Sequence, residues 1–228
     1  MYTCPQIRLI TLLILAQLVS DIHPVVAQKL SLYIGPIAGV AFANWRGADV
    51  RDSTRFRTSF VGGGSVIIRF NKYFALEPQV LYLRKGTELI IPPCGPGASC
   101  PPTEDYTQKS VELPLLIMGT YPIAGRMHFA PTIFAGPAVA FQTSCTFSSS
   151  GPIRQASCDS LYATEGASLK HTDALLIFGG GFSVGPVVLL GRYDLGLTKL
   201  FVENGFTRDV RSEAFLMSAG VRLRLGKL

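Results

Sequence analysis

The sequence predicts an all-β chain, an eight-stranded antiparallel transmembrane β-barrel built as an up-and-down meander, with short periplasmic turns and long outer loops. Three observations carry this expectation. From Glu213 to Leu225 the residues Phe215, Met217, Ala219, Val221, Leu223 and Leu225 share one parity, while Ala214, Leu216, Ser218, Gly220, Arg222 and Arg224 share the other. A period of two marks a strand with two different faces. One face here is large and apolar and the other small or polar, the pattern of a wall with lipid outside and a narrow interior. The stretch Val187–Thr198 repeats it, with Leu189, Tyr193, Leu195 and Leu197 set against Arg192, Asp194, Gly196 and Thr198.

The second observation is composition. Hydrophobic residues make up 48% of the 228-residue chain and charged residues 16%, against about 25% charged in soluble domains. No internal run reaches the roughly 20 apolar residues that a membrane helix needs. The third is the ordering of connections. Asn71–Tyr73, Pro122–Met127 and Gly185-Pro186 are short, whereas Asn44–Ser59, Thr87–Lys109, Thr143–Thr172 and Lys199–Ser212 are long and polar. Long and short alternate strictly, as when one rim faces the periplasm and the other the exterior.

The chain is expected to begin with a secretory signal. Arg8 precedes the apolar run Leu9–Val19, and Val25-Val26-Ala27 supplies small residues for cleavage before Gln28. This gives two parts, a signal peptide at 1–27 and a barrel domain at 28–228. Removal of the first takes away Arg8 and Asp21 together, so the net charge of +6 is unchanged.

The strands then read Leu30–Ala43, Phe60–Phe70, Phe74–Arg84, Ser110–Thr120, His128–Gln142, Asp173–Val184, Val187–Thr198 and Glu213–Leu225. Most reach the ~9–11 residues that a tilted strand needs to cross a bilayer. Glycines 62–64 and 179–181 fall inside strands, which suits close packing or bends. Phe42, Trp45, Phe56 and Phe60 gather at the upper strand ends, and Phe70, Tyr73, Phe74 and Tyr121 at the lower ones, where aromatic residues suit the two interfaces. Pro36, Pro78, Pro114, Pro131 and Pro137 fit less well, because each removes a ladder donor and a closed barrel has no edge to hide it.

Carried through the chain, the parity points Arg69, Glu77, Gln79, Glu112, Arg192, Asp194, Arg222 and Arg224 into the lumen. Eight strands leave an interior that side chains can fill, and enclosed charges must pair. Hairpin neighbours suggest Asp194 with Arg222 or Arg224, and Glu77 with Arg69. The network reads as a structural plug, with a gate or narrow conduction path as its rival.

Four cysteines follow the signal: Cys94, Cys100, Cys145 and Cys158. An even number in an exported chain suggests disulfides. The local pairing Cys94–Cys100 and Cys145–Cys158 is favoured among three, because each pair sits within one loop-like stretch. No zinc spacing fits, so neither a metal nor a cofactor is expected.

Four motifs carry a resemblance. Glu77-Pro78-Gln79-Val80-Leu81-Tyr82, Glu112-Leu113-Pro114-Leu115-Leu116-Ile117, Phe134-Ala135-Gly136-Pro137 and Arg192-Tyr193-Asp194-Leu195-Gly196-Leu197 follow one another in order. In this the chain resembles the PorT-like outer-membrane β-barrel domain family, over about residues 30 to 228. The resemblance implies an integral barrel of a Gram-negative outer membrane. It brings no catalytic residues. One member of that family belongs to a protein-secretion apparatus.

No nucleophile elbow, phosphate loop or dinucleotide fingerprint is present, so the chain is not read as an enzyme. Glu165, Ser168 and His171 lie near one another in a long loop and would be the candidates for an outer-leaflet lipid hydrolase, but sequence proximity does not make a triad. His128 reads as an interfacial residue. The expected partners are outer-membrane lipid and lipopolysaccharide, drawn by Arg46, Arg51, Arg55 and Arg57, with other envelope or secretion proteins after them; a monomer is favoured. Nucleic acid is not expected, since neither a basic helix nor an aromatic platform is present. The reading is therefore a structural or interaction barrel whose long, disulfide-stapled outer loops are its recognition surface. Its rivals are a narrow channel or secretion accessory, an outer-leaflet hydrolase, and a soluble ligand-binding barrel with its apolar face inside.

Overall fold

A computed structural model describes residues 30–50, 54–90, 103–123, 129–149, 155–160, 167–203 and 206–227. Eight strands form one closed wall. They are β1 (Ser31–Arg46), β2 (Thr54–Arg69), β3 (Phe74–Ile90), β4 (Thr103–Thr120), β5 (Phe129–Ser149), β6 (Thr172–Val184), β7 (Val187–Gly196) and β8 (Arg211–Val221, resumed by Leu223–Lys227). Each pairs antiparallel with the next, and β8 returns to β1 with Ile37 opposite Gly220 and Arg46 opposite Arg211. Closure leaves the wall without a free edge.

The short turns are tight for local reasons. Gly185 has φ 57°, the left-handed conformation that a two-residue hairpin asks of its first central residue. In the β2–β3 turn the Asn71 side chain accepts from the backbone N–H groups of Tyr73 (2.7 Å) and Phe74 (2.8 Å).

Toward the other rim the strands run on past the expected ends. Thr87–Ile90, Thr103–Lys109 and Thr143–Ser149, expected as loop, are wall. Their composition misleads because the outward face turns polar once the wall leaves the membrane while Tyr106, Cys145 and Phe147 turn inward, so the lipid-type alternation stops while the ladder continues. Shifts of one or two residues also separate the expected and observed ends of β7 and β8.

All five prolines lie in the wall. The β3–β4 pairing lapses between Pro78 and Leu81, beside Pro114, and the β4–β5 pairing lapses beside Pro137, with the register unchanged on either side. Pro36 lies between the two parts of β8, after Ile37 opposite Gly220 and before Ile34 opposite Leu223, and the Arg222 N–H there bonds Pro186 O at 2.7 Å. The ladder gives up isolated bonds and stays closed.

The outward face is the large apolar one: Val80, Leu113, Leu115, Ile117, Ile133, Phe178, Leu189, Phe215, Met217 and Leu223 are all exposed. Phe56, Phe60 and Tyr82 lie on it toward the long-loop rim, and Phe70, Tyr73, Phe74 and Tyr121 toward the short-turn rim. Trp45 does not join them; it is 4% exposed and points inward.

The interior is more apolar than expected. Ile67, Leu116, Met118, Phe134, Leu175, Ile177 and Leu190 pack together, and Ile37, Val61, Leu81, Leu83 and Leu216 form a second cluster. Gly179 makes room here, since a Cβ on it would come within 2.7 Å of the Phe134 ring. The lumen is thus a packed core with charges embedded in it, a condition that only an eight-stranded barrel is narrow enough to reach.

Candidate functional site

The alternation that sends Glu77, Gln79, Glu112, Arg192 and Asp194 inward brings them into one chain of contacts. Arg192 on β7 donates to Glu112 Oε2 on β4 at 2.8 Å and to Asp194 Oδ2 at 2.8 Å. Its other terminal nitrogen donates to Gln79 Oε1 at 3.3 Å, and Gln79 Nε2 donates to Glu77 Oε1 at 2.9 Å. Glu77 also faces Arg222 at 3.6 Å. At the other end Lys85 forms an ion pair with Glu112 and stands 4.0 Å from Asp194. Three cations (Lys85, Arg192, Arg222) therefore meet three carboxylates (Glu77, Glu112, Asp194). Glu112 and Asp194 are fully buried, so this balance is what makes their burial tolerable.

Little space for water remains around the network. The void framed by Gln79, Leu81, Leu116, Phe134, Arg192 and Leu216 holds about 10 Å³, at the lower limit of what a single water requires.

Two expected pairings do not form. Asp194 is opposite Ala214, far up β8 from Arg222, which lies beside the Gly185-Pro186 turn joining β6 to β7. Arg69 stacks over the Tyr33 ring, 5.2 Å from its centroid, so Glu77 turns to Arg222 instead. Arg224 is exposed and belongs to no ion pair among the described residues. Lys85 is absent from the expected set because the sequence pattern ends β3 at Arg84. Its parity is that of Glu77 and Gln79, and extending the strand by one residue would have found it.

Above the charges a polar layer follows. Thr87 donates to Asn44 Oδ1 at 2.8 Å, Ser212 donates to Asp173 Oδ2 at 2.5 Å, and the Thr198 N–H donates to Asp173 Oδ1 at 3.2 Å. Gln108, Ser110, Gln142 and Asp173 line a cavity of about 30 Å³ there, room for about one water.

The upper mouth is closed by an apolar cap. Inward-facing Trp45, Tyr106, Cys145 and Phe147 of the wall pack with Cys158, Leu169, Leu200, Phe201 and Val210. Trp45 lies 4.9 Å from the Tyr106 ring and 5.2 Å from the Phe201 ring, centroid to centroid. A small sheet of Ala167–Leu169, Phe201–Glu203 and Phe206–Arg208 carries part of this material. Cys145 and Cys158 form a disulfide across it, with Cα atoms 5.3 Å apart. Cys145 stands on β5 and not in a loop, as the lengthened wall requires. Cys94 and Cys100 lie outside the described residues, as do residues 1–27, His128 and Glu165. His171 faces Asp159 at 3.7 Å, and Ser168 is exposed on the small sheet. Among the described residues no group of three or more metal-ligating side chains occurs.

The family model described as outer membrane protein beta-barrel domain matches residues 26–202. The chain belongs to that family. This outer-membrane barrel is also similar to solved structures at low identity. Ail, the attachment invasion locus protein of Yersinia pestis, is 12% identical with a TM-score of 0.42, over 84% of this chain and 99% of that one. Neisserial surface protein A is 15% identical with a TM-score of 0.44, over 86% and 100%. OprG of Pseudomonas aeruginosa is 12% identical with a TM-score of 0.43, over 86% and 97%. No curated protein matches the sequence.

Proposed function

We propose that this outer-membrane barrel is a sealed, non-catalytic wall element that presents a disulfide-held cap to the cell exterior for interaction with other envelope or external molecules. The observation that carries this reading is the filled lumen. A charge network spans it from β4 to β7, and an apolar cap closes the mouth above. Both devices cost burial of charge or ordering of loops, and a conduction path would need neither. The reading includes export after removal of residues 1–27, a second outer disulfide between Cys94 and Cys100, a monomeric state, and contact with lipid and lipopolysaccharide around the wall. Kinship to PorT-like barrels belongs to the proposal as well. Its support is that the polar residues of three of the four motifs (Glu77 and Gln79, Glu112, Arg192 and Asp194) are the ones that converge in the lumen.

The test is reconstitution into vesicles loaded with a small sugar, together with an epitope inserted after Ser149 and probed on intact cells. Absence of sugar flux and antibody access from outside are expected. Rapid flux, or an epitope reached only after the cells are opened, would overturn the reading.

A further inference from the structure

The outward face of the wall carries a cationic notch that the lumen and the cap do not use. Between Phe56 and Val61 the β2–β3 register slips, and the strands part enough to open a groove of about 330 Å³ lined by Arg57, Thr58, Phe60, Tyr82, Arg84 and Thr107, with Lys85 of the lumen network at its back. A bulge of this kind re-aims the side chains beside it. By parity Arg57 would point inward; instead its stem passes over Gly86, where a Cβ would come within 3.3 Å of Arg57 Cδ, and its guanidinium meets Asp105 at 3.3 Å on β4.

Next to it Arg84 and Lys109 are directly opposed across β3 and β4. Both are on the outward parity, and neither makes an ion pair among the described residues. Like charges directly opposite destabilise a sheet. The arrangement calls for an anion. Its depth says which kind: Arg84 and Lys109 stand one step beyond the exposed Tyr82 and its partner Val111, level with Phe60 and below Phe56, among the aromatic residues of the long-loop rim. That is the level where headgroups begin and acyl chains end.

We propose that this notch binds the phosphate of a phosphorylated glycolipid of the outer leaflet. Arg84 and Lys109 hold the phosphate, Arg57 is the third cation, and the Thr58 and Thr107 hydroxyls face the sugar. Tyr82 and Phe60 form the floor on which the first acyl carbons lie. Arginine suits the task because its planar fork matches phosphate oxygens in pairs. The inference rests on the long-loop rim facing outward, as proposed above.

Protein refolded free of lipopolysaccharide and held in mild detergent is offered bisphosphorylated lipid A, its dephosphorylated form, or phosphatidylglycerol, and retention is read by native mass spectrometry. Wild type is expected to retain the phosphorylated glycolipid about tenfold or more over both others. Arg84→Gln with Lys109→Gln should lose that preference, while Arg224→Gln near the opposite rim should keep it. Equal retention of the dephosphorylated form, equal retention of phosphatidylglycerol, displacement by excess inorganic phosphate, or an undiminished double variant would each overturn the proposal. Heat-modifiable gel migration of the same samples separates the two levels: a closed barrel without the preference sinks only the notch, whereas a barrel that does not form sinks the reading beneath it.

Discussion

Arg192 and Glu112 stand on β7 and β4, strands separated in the wall by two others, and their side chains meet at 2.8 Å across the lumen. A contact of this kind cannot form along a wall; it requires the interior to be narrow and filled. Glu112 also takes Lys85 from β3. Glu112→Gln should therefore leave two buried cations, Lys85 and Arg192, to share the one carboxylate of Asp194, at a cost of about 3–5 kcal/mol. Urea unfolding in lipid vesicles measures it. Lys85→Met combined with Glu112→Leu removes one charge of each sign and leaves Arg192 with Asp194, so it should cost less than the single change. A single change costing under about 1 kcal/mol would mean the network bears no such role.

The wall should show a depth gradient. Val80 is exposed near the middle of β3, while Leu223 lies by the short-turn rim opposite Ile34. Val80→Arg should cost about 2–4 kcal/mol and Leu223→Arg about 0–1. Equal costs at Val80 and Leu223, measured by the same unfolding, would displace the bilayer from where the aromatic residues put it.

Much of this was legible in the residues, and the failures have one physical source. Period-two alternation found the eight strands, their sidedness and five members of the network, because lipid on one face and a confined interior on the other force opposite chemistry on neighbouring residues. Beyond the membrane that contrast vanishes. The upper parts of β3, β4 and β5 carry no lipid-facing apolar stripe and read as loop although Tyr106, Cys145 and Phe147 point inward, which hides Lys85, puts Cys145 in the wrong element and leaves Trp45 at an interface. Pairing within the lumen was also illegible: it depends on which strands face each other across the barrel, as Arg192 and Glu112 do, and hairpin adjacency suggested Asp194 with Arg222 instead.

Trp45 offers a direct check on the cap. It is the one tryptophan in the chain and packs against Tyr106 and Phe201. Its emission should be blue-shifted, shielded from acrylamide and unquenched by brominated lipid in the bilayer. Strong quenching by brominated lipid would return Trp45 to the membrane interface.

Reduction of Cys145–Cys158, 13 residues apart in sequence, should remove about 3 kcal/mol in the chain-entropy model. The loss should stay in the cap, since the wall is closed by its own ladder. Limited proteolysis of Cys145→Ser with Cys158→Ser should cut between 149 and 172 and spare β1 to β4. Non-reducing peptide maps that join Cys145 to Cys94 or Cys100 would contradict the bridge itself.

A barrel filled in this way should not conduct, and planar-bilayer recording measures that. The unmodified protein should insert and give no steady current, because charges, apolar side chains and the cap fill the path in succession. A large, steady conductance from the unmodified protein would contradict the account and make the lumen a channel.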